Sequence, residues 1–290
     1  MKRVYYSVLC LAALAAVACN KEGAQAEGES LCANAYISSP ATKTVYEIGN
    51  YGENTGVKVS WDVAESFNAY YDGGASPVIF SKAAAGTSFT AESVPEGVSV
   101  STLFKGLYGS AATLTSEGKI DIDFSQQDGT LENLPAYDVM TATSTLSEGM
   151  LSFAFKHKCA ILRLKCVNHT INEVSKVKLL FTKAQVSGEF GSTGFDDNAG
   201  KYLSLSINLK TPVEAGSAVK DKGTVGFRYV IVPAIAYQKS SYEIMPIGDL
   251  KEFSNTIELS GTKSIEAGKV YDVLCECGAE ADENGVIEAD

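Results

Sequence analysis

Leu151-Ser152-Phe153-Ala154-Phe155-Lys156-His157-Lys158-Cys159-Ala160-Ile161-Leu162-Arg163-Leu164-Lys165-Cys166-Val167 is the stretch on which the fold turns. Its apolar residues recur at every second position, the period of a half-buried β-strand. Leu151, Phe153 and Phe155 hold the odd positions, whereas Ala160, Leu162, Leu164 and Cys166 hold the even ones. One face of a single strand cannot carry both sets, so the spacing predicts a β-bulge or strand break around His157 to Cys159.

The same alternation recurs on either side. Val57, Val59 and Trp61 alternate with Lys58 and Ser60; Ile120, Ile122 and Phe124 alternate with Asp121 and Asp123. Leu203, Leu205, Ile207 and Leu209 oppose Ser204, Ser206 and Asn208, while Tyr271, Val273, Cys275 and Cys277 share one face of a last strand. Turn signals such as Asp72-Gly73-Gly74, Glu96-Gly97, Gln127-Asp128-Gly129 and Gly261 separate these runs. Long helical patterns are missing, and many short strands with turns between them read as all-β sandwich architecture. Thr145 to Gly149 interrupts the pattern, dividing the chain into an N-terminal sandwich domain (31–147) and a C-terminal one (148–278). A long polar loop is expected from Phe190 to Lys201, and residues 279–290 form an acidic, alanine-rich tail.

The first residues are of another kind. Met1-Lys2-Arg3 is cationic, and Val4 to Ala18 is an apolar run too short to span a bilayer comfortably. That is the make-up of a signal peptide over 1–18. It ends Ala16-Val17-Ala18-Cys19, which resembles a bacterial lipobox. Cleavage between Ala18 and Cys19 would free the cysteine whose thioether carries the lipid; the abrupt start of polar sequence at Asn20 favours this over the alternative, ordinary cleavage after Ala-x-Ala. Residues 19–30, with little to bury, then serve as a lipidated tether. Asn20-Lys21-Glu22 resembles the sequence that follows the lipid in lipoproteins sent to the outer membrane.

The chain has 290 residues, 45% hydrophobic, with 35 acidic and 24 basic side chains and a formal charge of −11. Loss of Lys2 and Arg3 with the signal peptide makes the mature chain more acidic still. Without clustered cations to displace counterions, it is not expected to bind nucleic acid or an acidic membrane surface by charge. Seven cysteines occur; setting aside Cys10 and Cys19 leaves Cys32, Cys159, Cys166, Cys275 and Cys277, an odd number that forbids a full disulfide framework. One or two bridges are open to them in an oxidising compartment, with no pairing assignable, and buried free thiols are the alternative.

Chemistry has little to stand on. A Ser-His-Asp or Cys-His site would have only His157 and His169 to draw on; His157 falls within the strand pattern and His169 in a turn after it. Cys275-x-Cys277 puts two sulfurs on one strand face about 7 Å apart, unlike the close knuckles of structural zinc sites. The glycines and paired acids of Gly188 to Gly200 match neither an EF-hand loop nor a nucleotide fingerprint. Asp121 and Asp123 read as the solvent face of a strand. No enzyme activity, metal or cofactor is expected. The 14 tyrosines could furnish a glycan-stacking platform, though tyrosine is equally at home in strands.

Taken in order, several segments resemble the fimbrillin-like surface lipoproteins of Gram-negative anaerobes. They are Thr42-Lys43-Thr44, Val57 to Tyr70 with Trp61 and Phe67, Tyr137-Asp138-Val139-Met140, Phe153 to Leu164, Val232-Pro233, and Gly268-Lys269-Val270-Tyr271-Asp272-Val273. The resemblance implies two tandem transthyretin-like β-sandwiches and a role as fimbrial subunit or fimbria-associated adhesin. It further implies a lipid anchor on Cys19 in the outer membrane at the cell surface, and a place in the fimbrium once processed. Partners would be other fimbrial subunits, in a homo- or hetero-polymer, and a ligand on a host or bacterial surface. In this family subunits can join by strand exchange after proteolysis. Lys43 and Thr44 then mark the candidate cleavage, Cys32 to Ile37 lies in the strand removed, and a terminal segment including Val286-Ile287 is a candidate donor. The sequence departs from the family in having only two arginines beyond the signal peptide, Arg163 and Arg228, and Ala64-Glu65 where Gly-Asp is usual. A surface glycan-binding lipoprotein is the alternative function.

Overall fold

The computed structural model describes residues 30–37, 50–52, 61, 65–82, 86–91, 93, 95–115, 118–182, 187–189, 202–216, 223–234, 240–246, 253–255 and 266–277. Among these the chain is built almost wholly of strands. In order they are β1 (Cys32–Ile37), β2 (Ser66–Tyr71), β3 (Val78–Ser81), β4 (Ser88–Ala91), β5 (Leu103–Tyr108), β6 (Ala112–Leu114) and β7 (Lys119–Ile122). A 3₁₀ turn (Phe124–Gln126) and a short helix α1 (Leu134–Tyr137) lead to β8 (Met140–Thr145), β9 (Met150–His157), β10 (Cys159–Asn168) and β11 (Val174–Thr182). The remainder are β12 (Ser187–Glu189), β13 (Tyr202–Val213), β14 (Thr224–Pro233), β15 (Ser240–Pro246), β16 (Phe253–Asn255) and β17 (Val270–Cys277).

Seven strands hydrogen-bond into a closed ring in the order β1-β4-β3-β2-β5-β8-β9. The later strands form a three-stranded sheet, β14-β10-β17, and a four-stranded sheet, β13-β11-β15-β16. The break expected near His157 is present: β9 ends at His157, β10 begins at Cys159, and the chain changes sheet at Lys158 between them. The parity shift has its physical cause here, because Leu151, Phe153 and Phe155 fill the ring while Leu162, Leu164 and Cys166 fill the second half. The ladders therefore run past the division expected at 147/148, since β9 pairs with β1 and β8.

Aromatic rings fill the first core. Phe67 stacks on Phe80 at 5.2 Å and meets Phe89, Phe153 and Phe155 edge-on at 5.0–5.1 Å. Gly106 lies flat against this cluster, and a Cβ there would come within 3.0 Å of both Phe153 and Phe155. The expected strand through Phe124 ends earlier. Asp123 instead caps the 3₁₀ turn, accepting from the Ser125 amide at 2.9 Å and its hydroxyl at 2.6 Å, and these bonds hold its carboxyl below the usual range.

Among the described residues, β7 pairs with β12, and two side-chain clusters also join the halves. Buried Gln127 donates to the carbonyl of Ile231 at 2.9 Å and accepts from its amide at 2.7 Å, pairing with β14 as a neighbouring strand would. Arg163 grips Asp272 with Nε at 2.6 Å and Nη2 at 2.8 Å, while the Gly52 amide and Asn50 carbonyl complete the cluster. Tyr51 lies beneath, with Arg163 and Lys165 at 5.5 and 5.3 Å from its ring.

Candidate functional site

β1 closes the ring. It runs parallel to β9 over six residue pairs, from Cys32↔Met150 to Ile37↔Phe155, and antiparallel to β4 over three, from Cys32↔Thr90 to Asn34↔Ser88. Alternation divides its side chains cleanly: Leu31, Ala33, Ala35 and Ile37 are buried, whereas Tyr36 on the opposite face is 47% exposed. The central inward residues are small, and the rings account for this. Ala35 stands opposite Phe153, and Ala33 opposite Phe89, both fully buried residues of the aromatic core. Without β1, the β4 and β9 edges would lose their partners and an apolar floor would face water.

Trp61 fixes the strand from the other side. Its Nε1 donates to the Ala35 carbonyl at 2.8 Å, and its ring meets Phe89, Tyr108 and Phe155 edge-on at 5.2–5.5 Å. Buried Lys82 holds Trp61 in turn, donating to its carbonyl at 3.3 Å and to that of Gly86 at 2.7 Å. Val57 and Val59, assigned from the sequence to the strand that precedes Trp61, lie outside the described residues, as do Ala18, Cys19, Lys43, Thr44, the 190–201 loop and residues 279–290.

Four of the sequence segments singled out above meet where the sheets join. His157 Nδ1 and Asp138 Oδ1 are 2.9 Å apart, with both side chains nearly sealed from solvent. The Lys158 amide donates to Val139, Cys159 pairs with Pro233 in the β10–β14 ladder, and Gly268 donates to Cys159 at 2.7 Å. Gly268 adopts a positive φ of 74° with its Cα facing the His157 ring, so both backbone and space favour glycine. Nothing in the sequence spacing joins Asp138 to His157; the contact exists only in the fold.

Burial, the largest single influence on His157, favours a neutral ring. The Asp138 charge and hydrogen bond together outweigh it and raise the imidazole above its ordinary value. A raised native value stabilises the fold fully below the unfolded value of about 6.5, and the contribution is lost as pH rises through the native one. The urea midpoint is therefore expected to fall as pH goes from about 6 to about 8, with a shallower fall in Asp138→Asn. Equal pH slopes for the two proteins would remove the ion pair from the account. Neighbouring Cys159 is no nucleophile for this histidine: burial pushes its thiol well up, and it is closed to solvent. His169 sits after β10, as the sequence suggests, with Nδ1 buried. Among the described residues no cluster of His, Cys, Asp and Glu is arranged to hold a metal.

The described residues define an all-β protein with one closed barrel, completed by β1. The chain belongs to the fimbrillin-like family, whose model matches residues 41–289. Solved structures similar to it include a candidate cell adhesion protein from Bacteroides ovatus, at 16% identity over 91% of this chain and 95% of that one (TM-score 0.49). Others are a candidate cell adhesion protein from Bacteroides uniformis (13%, 79% and 91%, TM-score 0.43) and the fimbrial anchor protein Mfa2 from Porphyromonas gingivalis (12%, 85% and 90%, TM-score 0.41). Among curated proteins nothing matches the chain.

Proposed function

We propose that the chain is a fimbrial subunit or fimbria-associated adhesin. It is exported by residues 1–18, lipidated on Cys19, and held at the outer membrane until cleavage at Lys43-Thr44 releases β1. A strand from another subunit then takes the place of β1. The observation that carries this reading is the placement of β1, an N-terminal strand inserted between β4 and β9 with its apolar face inward. A strand so placed can be withdrawn without cutting any other ladder, and its vacancy offers both backbone hydrogen bonds and an apolar floor. The whole chain, both domains together, is the repeating unit of the assembly. Family membership supports the fimbrial role.

The test compares wild type with Lys43→Ala after treatment with a lysine-specific protease, by light scattering and electron microscopy. Assembly by the trimmed wild type, and not by Lys43→Ala, is the expected outcome. If trimmed and untrimmed chains both stay monomeric, alone and with other fimbrial subunits, the polymerising role is lost.

A further inference from the structure

Three cysteines line the inner face of the β14-β10-β17 sheet: Cys166 on β10, with Cys275 and Cys277 on β17. β10 and β17 are parallel, and their register sets Cys166 directly opposite Cys275, with Asn168 opposite Cys277. The Cys166 and Cys275 side chains are fully buried, and both thiols are free. Directly paired positions on adjacent strands, with both side chains on one face, fall within the Cα separations that a disulfide spans. Cys277 is placed differently, since Asn168 occupies the position across from it and is tied to the Asn172 and Glu214 carbonyls at 2.8 and 2.9 Å.

The surroundings treat the two thiols unequally. Arg228 on β14 reaches toward Cys166 across Gly226, the residue paired with Cys166; a Cβ on Gly226 would lie 3.2 Å from Arg228 Nη1. Arg228 donates to the Phe227 and Pro212 carbonyls at 2.6 and 2.7 Å, and its buried Nε has no partner. The hydrogen bond from Cys275 and the nearby Arg228 charge outweigh burial and draw the Cys166 thiol down, while Cys275 and Cys277 are pushed up. Arg228 lies on β14, the neighbour of β10, so its charge stands near Cys166 before β17 docks, and the second thiol arrives with β17.

We propose that Cys166 and Cys275 are a redox pair that closes into an intramolecular disulfide, with Cys166 attacking, Cys275 resolving and Arg228 positioning the charge. The oxidant is an external disulfide, small or carried by a thiol oxidoreductase. The Cys166 thiolate attacks one sulfur of that disulfide and expels the other as a thiolate. Cys275, deprotonated, then attacks Cys166 in the mixed disulfide and expels the second thiolate. The chain loses two electrons and two protons, and the external disulfide becomes two thiols. Because β17 forms an edge of its sheet among the described residues and is the later of the two strands in the chain, the exchange takes place before or as it docks on β10. The closed pair fastens β17, which carries Asp272 of the inter-half cluster, to β10, which carries Arg163.

The test refolds the full reduced chain from urea in a mixture of reduced and oxidised glutathione, alkylates free thiols and maps tryptic peptides without reduction. Cleavage at Lys and Arg puts Cys159, Cys166 and the Cys275–Cys277 pair on three separate peptides. The expected product links residues 166–176 to 270–290, in wild type and Cys277→Ser but not in Cys275→Ser. Fragment ions of the wild-type link assign the sulfur even where a variant fails to fold. A fully alkylated Cys166, or a link that maps to Cys277, overturns the pairing. Arg228→Gln is expected to shift the pH profile of closure upward and Arg228→Lys to restore it; an unmoved profile removes Arg228 from the device.

Discussion

A chain cut at Lys43 and stripped of β1 is expected to lose about 5 kcal/mol or more of stability, and to recover it when a peptide of residues 30–37 is added. Leu31 and Ile37 are buried at 0% and 6% exposure, and such side chains each contribute about 1.5–3 kcal/mol. The Ala33 and Ala35 methyls add about 0.8 kcal/mol each. Trp61 would lose the carbonyl that its Nε1 now reaches, leaving a donor whose burial unpaired costs about 1–3 kcal/mol. Against a typical total of about 5–15 kcal/mol, the stripped chain stands near its threshold. It should bind an apolar dye and unfold at much lower urea. A peptide carrying Ala35→Leu should restore less, because overfilling a packed slot costs about 1–3 kcal/mol. A stripped chain within about 1 kcal/mol of the intact one would mean that β1 does not hold the ring closed.

Phe153→Ala is expected to cost about 3–5 kcal/mol in urea unfolding. The ring is fully buried, with Phe67 at 5.1 Å, Phe155 at 5.9 Å and Phe80 at 6.0 Å. Collapse into the void is hindered, since β5 already lies against the ring through Gly106 and the other neighbours are stiff rings in a closed barrel. Ala35 pairs with Phe153, so the same change loosens β1 and should speed proteolysis near Lys43. A loss below about 1.5 kcal/mol would show that the cavity closes, and that the aromatic floor is more plastic than its geometry implies. An unchanged cleavage rate would uncouple the floor from β1.

Much was legible in the sequence by itself. The period-two runs gave strands, the parity change around His157 gave the break between sheets, and Tyr271 to Cys277 gave a last strand with Val273, Cys275 and Cys277 buried. These are local facts, because alternation records which face of a strand meets water, and turns record where the chain reverses. Tertiary structure alone decided that β1 lies between β4 and β9, that Asp138 meets His157, and that Cys275 rather than Cys277 stands opposite Cys166. Backbone hydrogen bonds are the same for every residue type, so a strand carries no label for its partner. That choice falls to long-range packing of side chains, here the rings that leave room only for the alanines of β1.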